Sequence, residues 1–313
     1  MLYCPYGRSS APPRAGTPYF SRFSKGAFPM PSAAVGSTDL FKILTFNVRR
    51  DGWFSRGVNT WPIRQQLISR VIRESGAVVV GVQELLPQMR DDVQHSLCGY
   101  SIFGLGRIGG PLGEHSDILI KDDDTEVLRH ETFWLSKHPD VCATRAYYSF
   151  FPRICTVGEI RFRSTGRSVR VFNTHFDHVC APARVLGVWT ILRRLQKMQQ
   201  QSPMPSIIMG DLNAGPDSAA IRLMRDNLHG LEGVHLTDAY ASCHPGGPDP
   251  RANTYHGFGS AEGKRRLDYI FVSDGLEVVD CAVDRTSDNG RYPSDHYPLL
   301  ATLRFAEKCD KKL

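Results

Sequence analysis

The sequence predicts an α/β fold in which two β-sheets pack face to face with helices outside them, as one layered domain over residues 37–306. Three observations carry this prediction. Short apolar runs recur and end abruptly in polar residues. Only a few segments between them keep a helical period. No run of eighteen apolar residues occurs, which with 41% hydrophobic and 22% charged residues excludes a membrane-spanning, fibrous or wholly disordered chain. No internal repeat is visible.

Residues 1–36 hold six prolines, many Ser and Gly, and no apolar period, so a disordered basic leader is expected there. Arg-bearing and acid-free, it is similar to an organelle transit peptide, although its prolines spoil an amphipathic helix, and it lacks the apolar stretch of a secretory signal. The texture changes at Leu40. Phe41-Lys42-Ile43-Leu44-Thr45-Phe46 reads as a buried strand ending at Asn47. A helix follows, capped by Thr60, with Pro62 in its first turn, Ile63, Leu67, Ile68, Val71 and Ile72 at helical spacing, and Gly76 as its stop.

Residues 77–82 form a second strand, which ends at Gln83-Glu84. The same grammar returns where Val169-Arg170-Val171-Phe172 leads into Asn173-Thr174-His175, where Pro182 opens a long helix over 183–199, and where Ser206-Ile207-Ile208-Met209 leads into Gly210-Asp211-Leu212-Asn213. Residues 117–120, 157–163, 267–272 and 299–305 read as further strands, and 307–313 as a short charged tail.

Lys and Arg outnumber Asp and Glu by 38 to 32, but Arg8, Arg14, Arg22 and Lys25 of the leader supply much of the excess, leaving the body nearly neutral. The pI near 8.9 is therefore a poor argument for a protein that grips long polyanions. Eight cysteines are dispersed without a Cys-x-x-Cys pair, which excludes a zinc ribbon or a dithiol redox motif. They fit reduced thiols of an intracellular protein. A cytoplasmic location is expected, with organelle targeting by the leader as the alternative, and no obligate protein partner is evident.

Polar groups gather where strands end, and the types present suit phosphate chemistry at a metal, which needs hard oxygen ligands, a positioned base and donors to phosphoryl oxygens. Glu84 follows a run of valines, so its charge needs a partner or a metal unless it simply emerges into a solvated loop. Asp211 and Asn213, like His175 and Asp177, are two residues apart and share a face in extended backbone. Asp-x-Asn also occurs in ordinary turns. Asp295-His296 lies between Pro293 and Pro298, and Asp268 could fix one nitrogen of His296 and leave the other as a base.

Taken in chain order, Asn47, Gln83-Glu84, Asn173-Thr174-His175, Gly210-Asp211-Leu212-Asn213, Arg266-Leu267-Asp268-Tyr269 and Ser294-Asp295-His296 resemble the motif set of the endonuclease/exonuclease/phosphatase superfamily. Leu44-Thr45-Phe46-Asn47-Val48-Arg49, Thr132-Phe133-Trp134-Leu135-Ser136, Phe151-Pro152-Arg153-Ile154-Cys155-Thr156, Thr254-Tyr255-His256-Gly257-Phe258 and Gly290-Arg291-Tyr292-Pro293-Ser294-Asp295-His296 resemble an uncharacterised bacterial-type branch. The resemblance implies a four-layer α/β/β/α sandwich with two packed mixed sheets, and hydrolysis of phosphoester bonds dependent on Mg²⁺, with Mn²⁺ as a substitute.

Carried over residue by residue, Glu84 is the principal metal ligand, with Asn47 and Asp295 beside it. His296, oriented by Asp268, acts on the attacking water or contacts phosphate. Asp211 aligns the nucleophile or protonates the leaving oxygen, Asn213 and His175 hold phosphoryl oxygens, and Arg153 offsets transition-state charge. The implied substrate is a nucleotide or nucleic acid; a small phosphorylated metabolite or lipid head group, or an inactive binding protein, are the alternatives.

Departures narrow this further. Inositol polyphosphate 5-phosphatases carry a Trp shortly before Gly-Asp-x-Asn, where this chain has Ile207-Ile208-Met209, and abasic-site nucleases have Asn in the place of His175. The Gly-rich stretch 104–110 lacks a P-loop ending and reads as a mobile loop beside the site. Lys264-Arg265-Arg266 reads as a solvated turn or a phosphate contact, and Trp134, Trp189, Tyr147 and Tyr148 as core or wall.

Overall fold

The computed structural model describes residues 40–52, 55–260 and 265–307. The expected leader over 1–36, and the tail after Glu307, lie outside the described residues. The first sheet contains β1 (Leu40–Asn47), β2 (Val79–Gln83), β3 (Tyr100–Phe103), β4 (Ile118–Lys121), β11 (Leu276–Val283) and β12 (Leu299–Phe305), in the order β11-β12-β1-β2-β4-β3. The second contains β5 (Thr125–Trp134), β6 (Ile154–Phe162), β7 (Ser168–His175), β8 (Ser206–Asp211), β9 (Leu236–Asp238) and β10 (Asp268–Ser273), in the order β5-β6-β7-β8-β10-β9. In each sheet one central pair is parallel, β1 with β2 and β7 with β8, and the flanking pairs are antiparallel.

A parallel pair needs a crossover, and here helices provide it: α1 (Trp61–Ser75) joins β1 to β2 and α3 (Ala181–Gln201) joins β7 to β8. With α2 (Pro87–Ser96), α4 (Ala219–Arg225) and α5 (Ala239–Cys243), these make a four-layer α/β/β/α sandwich. Successive strand side chains point to opposite faces, so one strand serves two apolar layers. From β1, Phe41 and Ile43 enter the layer between the sheets, while Leu44 and Phe46 pack under α1 and α2. From β8, Ile207 and Met209 face inward, while Ile208 packs with Phe172 and Tyr269 under α3 and α4. Each fully buried side chain of this kind contributes about 1.5–3 kcal/mol. No described helix is long and apolar enough to cross a membrane.

The inward column of each central strand turns polar toward one end. In β1 it runs Phe41, Ile43, Thr45, Asn47; in β2 Val79, Gly81, Gln83; in β7 Val171, Asn173, His175; and in β8 Met209 and then Asp211. Gln83 Nε2 donates to Thr45 Oγ1 (3.0 Å) and to Asn173 Oδ1 (2.6 Å), and Asn173 Nδ2 donates to the carbonyls of Val82 (2.9 Å) and Asp117 (2.7 Å) across the sheets. Gly81 makes room for this bridge, because a Cβ there would lie 2.7 Å from Asn173 Oδ1. Parallel strands end at the same edge, so Asn47, Gln83, His175 and Asp211 arrive together.

Helix α1 corrects two expectations. Thr60 sits at the N-cap but makes no side-chain cap bond; its hydroxyl instead donates to the carbonyl of Gly57 in the preceding turn (3.1 Å). Ile63 is exposed, and the buried face uses Arg64. That side chain is 1% exposed and, among the described residues, donates to carbonyls alone: Asn59 (2.8 Å), Val48 (2.6 Å), Arg49 (2.8 Å) and Pro293 (2.8 Å). Burial lowers its pKa to about 10, so it stays charged at neutral pH. It braces the segment after β1 against the segment before β12.

Arg64→Met keeps the side-chain bulk but orphans these carbonyls, and is expected to cost about 3 kcal/mol or more in urea unfolding. Arg64→Lys should recover only part, since a point charge cannot meet four carbonyls laid out for a planar fork. A loss below about 1 kcal/mol for the Met variant would show that the brace contributes little.

Candidate active site

The polar strand ends open into a cavity of about 390 Å³ lined by, among others, Glu84, Arg153, His175, Asp211, Asn213, Asp295 and His296. Asn47, at the end of β1 and fully buried, lies behind two of the lining carboxylates. Its Nδ2 donates to Glu84 Oε1 (3.1 Å) and to Asp211 Oδ2 (2.9 Å), joining a carboxylate of each sheet. Glu84, in left-handed backbone (φ 64°) just past β2, also accepts from the Arg50 amide (2.9 Å). Asp295 enters from the segment before β12. The Arg49 guanidinium lies 3.8 Å from Glu84 and 3.6 Å from Asp295.

Burial would raise the Glu84 carboxyl, but Arg49, the Arg50 amide and Asn47 outweigh it and hold it below the usual range. Asp295 goes the other way, pushed up by burial and by the Glu84 charge against the opposing pull of His296 and Arg49.

The second sheet supplies a line of three. Register sets His175 of β7 beside Asp211 of β8, and Asp211 opposite Asp268 of β10. His296 Nδ1 lies 2.8 Å from Asp268 Oδ2, which leaves Nε2 facing Asp211 Oδ2 at 3.8 Å. Among the described residues, Asp211, Asp268 and His296 form a group whose ligand atoms all lie within 4.8 Å of one another. Burial would lower the His296 pKa, but the charges of Asp268 and Asp211 raise it. Burial, with the Asp268 charge, raises Asp211. Asn213 (φ 47°) donates from its backbone to Asp211 Oδ1 (2.9 Å) and from Nδ2 to His175 Nε2 (2.9 Å). Burial, then the nearby cations Arg153, His296 and Arg107, lower His175, so its ring is a neutral acceptor. Gly210 permits the close strand packing behind this line, since a Cβ there would lie 1.9 Å from the Thr174 oxygen.

Cations line the cavity as well. Arg50 and Arg107 share one acid, Glu114, at 2.8 and 2.9 Å. Arg153 donates to His178 Nδ1 (2.9 Å) and has no carboxylate partner among the described residues. Both Arg107 and Arg153 are buried, each with an Nε that has no hydrogen-bond partner.

The structure thus gathers Asn47, Glu84, Arg153, His175, Asp211, Asn213, Asp268, Asp295 and His296 around one cavity. It does not bring Asp177 in: that carboxylate accepts from Ser149 Oγ (2.5 Å) and from the amides of Val179 (2.9 Å) and Cys180 (2.6 Å) at the start of α3. Nor does the Gly-rich stretch read as loose. The Gly106 amide bonds to the Gly110 carbonyl (2.7 Å) and Ile108 to that of Leu112 (3.2 Å). Arg266 is no solvated turn residue, being buried against Asp238 (2.5 Å), whereas Arg265 lines the cavity. Arg49, Arg50, Arg107 and Glu114 went unassigned. The arginine pair Arg49-Arg50 stands two residues past Asn47 and was findable; Glu114 carries no sequence signal.

Residues 44–296 match the Endonuclease/Exonuclease/phosphatase family. The structure is similar to an endonuclease/exonuclease/phosphatase from Bacteroides vulgatus (TM-score 0.77, 28% identity, covering 85% of this chain and 99% of that one). It is also similar to a mannosyl-6-phosphatase from Bacteroides thetaiotaomicron (TM-score 0.74, 27% identity, 85% and 100%). In sequence the chain is 28% identical to nocturnin of Rattus norvegicus over 133 residues, 39% of this chain and 30% of that protein. The aligned part therefore spans less than a third of the relative's length.

Asp268→Asn and His296→Ala are each expected to lower kcat by about 10²- to 10⁴-fold with the melting temperature little changed, because either change removes a positioned proton-handling group. Rates within a factor of two of the parent would deprive the pair of catalytic meaning.

Proposed function

The chain belongs to the endonuclease/exonuclease/phosphatase family, and on that premise we propose that it is a divalent-metal-dependent phosphodiesterase acting on nucleotides or nucleic acid. Members of the family hydrolyse phosphoesters. The observation that carries the reading is the arrangement of Asp268, His296 and Asp211 facing Glu84 and Asp295 across the Asn47 amide. The cation wall of Arg50, Arg107 and Arg153 supports an anionic substrate.

A dication fits the Glu84 side of the cavity. Two buried carboxylates converge there with one part-exposed arginine between them, and the donors are hard oxygens suited to Mg²⁺ or Mn²⁺. Glu84 and Asp295 would hold the ion, with Asn47 adjacent. When bound, it supplies charge neutralisation at the phosphoryl group. His296 is held by Asp268 through Nδ1, which aims Nε2 into the cavity for the attacking water or a phosphoryl oxygen. Asp211 aligns the nucleophile or delivers a proton to the leaving oxygen. Asn213 and the neutral His175 orient phosphoryl oxygens, and Arg153 opposes charge that builds up on them.

A second reading, hydrolysis of a small phosphorylated metabolite, is favoured by a further cavity of about 820 Å³ that shares Asn213, Arg265 and Leu267 with the first and has room for a compact leaving group. The likeness to a mannosyl-6-phosphatase at 27% identity supports it too. An inactive binding protein is disfavoured, because each position of the motif set retains its chemical group.

Glu84→Gln is expected to abolish metal-stimulated turnover and weaken Mn²⁺ binding by calorimetry while the fold persists; unchanged Mn²⁺ affinity would remove Glu84 as a ligand. The substrate is tested with kcat/KM for a dinucleotide, a short single strand, a plasmid and mannose 6-phosphate at two ionic strengths and fixed Mg²⁺. Short strands should be preferred and show a flat salt response, because each phosphate contact adds about −0.9 on duplex or −0.7 on single strands to the slope. Turnover of mannose 6-phosphate alone would install the second reading.

A further inference from the structure

Four aromatic residues in a run of five stand outside the cleft. Tyr147 is 74% exposed, Tyr148 76%, Phe150 68% and Phe151 45%, although aromatic side chains ordinarily contribute to stability by being buried. Sequence reasoning placed the two tyrosines in the core or wall, and the structure reverses that. The segment is not loosely held. Between the exposed rings, Ser149 is buried, with its hydroxyl 2.5 Å from Asp177 Oδ2 and 2.8 Å from the Phe151 carbonyl, and Arg145 donates to the carbonyls of Ser149 (3.1 Å) and Phe150 (3.3 Å). Asp177 is in turn fixed to the start of α3. The Tyr147 and Tyr148 rings lie 4.2 Å apart, and neither phenol has a hydrogen-bond partner among the described residues. A braced segment that turns its rings to solvent marks a binding surface.

Its neighbours indicate what binds. Phe151 lines the catalytic cavity, and the Arg107 guanidinium stacks 4.6 Å from its ring centroid. Arg153 lies two residues further on. Arg107 and Arg153 are each 8% exposed, so they meet only phosphates that enter the cleft, and a flat bilayer cannot reach them. A strand can, laying a phosphate in the cleft and its bases on the rings. Tyr148 is three residues from Phe151, within about 11 Å along the chain, close enough for a base flanking a phosphate at Arg107. Only unpaired bases offer their faces, since a duplex has already stacked them.

We infer that residues 147–151 form a base-stacking ledge beside the catalytic cavity and that the substrate is bound as a single strand with unpaired bases next to the scissile phosphate. This rests on the reading of the site as a phosphodiesterase of nucleotides or nucleic acid.

The test pairs the variant Tyr147→Ala/Tyr148→Ala with two strands of equal length and charge, an oligothymidylate and its base-free sugar–phosphate counterpart. On oligothymidylate, KM should rise about 10-fold or more, the effect of losing one or two base–ring stacks, with kcat within about twofold. On the base-free strand both parameters should stay at the parent's values. Tyr147→Trp/Tyr148→Trp should restore the oligothymidylate KM, which a merely misfolded ledge would not allow. Equal losses on both strands, or none on oligothymidylate, would overturn the ledge.

Binding of labelled oligothymidylate by fluorescence anisotropy, in chelator, separates the ledge from the chemistry. If the parent cleaves neither strand yet binds oligothymidylate through the tyrosines, the ledge stands and the phosphodiesterase reading falls. If binding is indifferent to the tyrosines, the ledge falls by itself. Tyrosine-dependent sedimentation with phosphatidylcholine/phosphatidylserine vesicles, without oligothymidylate binding, would replace the strand with a membrane.

Discussion

One amide joins the two halves of the candidate site. Asn47 donates to Glu84 in the first sheet and to Asp211 in the second, its side-chain oxygen accepts from the Arg49 amide (2.9 Å), and its backbone carbonyl accepts from Ser294 Oγ (2.6 Å). Four segments far apart in the sequence are thus referred to one buried side chain. Apolar packing holds the sheets together along most of their length, but it cannot set the separation of two carboxylates. A buried amide can, because leaving either partner unmet costs about 1–3 kcal/mol. Behind it, Gln83 and Asn173 repeat the device one layer deeper, so the packing passes from hydrocarbon to hydrogen bonds before it reaches the cavity.

The cavity is electrically polar. Glu84, Asp211 and Asp295 line it together with Arg49, Arg50, Arg107, Arg153 and Arg265, and Glu114 pairs with two of these arginines. Charges of both signs thus face one small space. Burial strengthens both poles, since charges near low-dielectric surroundings are screened less than those in water. A chain with a nearly neutral body can still present a strongly attractive cleft.

Much of this was legible in the sequence, because strands buried on both faces read as apolar runs whose ends are conspicuous. β1, β2, β7, β8 and β10 were visible for that reason, and Glu84, His175, Asp211 and Asp268 were visible as their polar ends. β3, β9, α4 and α5 are too short for a period to emerge. Arg64 escaped because a helical stripe is read as apolar, and nothing local says that one of its members will be satisfied by carbonyls from distant segments. Arg107 and Glu114 come from irregular backbone where no periodicity exists. The exposed tyrosines inverted the usual presumption that large rings are buried; only the fold around Ser149 shows them turned outward.

The brace at Arg64 also bears on how the protein is made. Its contact with Pro293 spans 229 residues, and the Ser294–Asn47 bond spans 247. β1 has no antiparallel partner until β12 arrives, from nearly the opposite end of the described chain. Contacts of such long range cost more chain entropy to close than local hairpins do. During synthesis the half built on β5 to β10 can assemble while β1 and β2 still await their edge, and neither Asp295 nor His296 can be in place. The cavity is therefore incomplete until the segment before β12 has been made, because Asp295 and His296 both come from it.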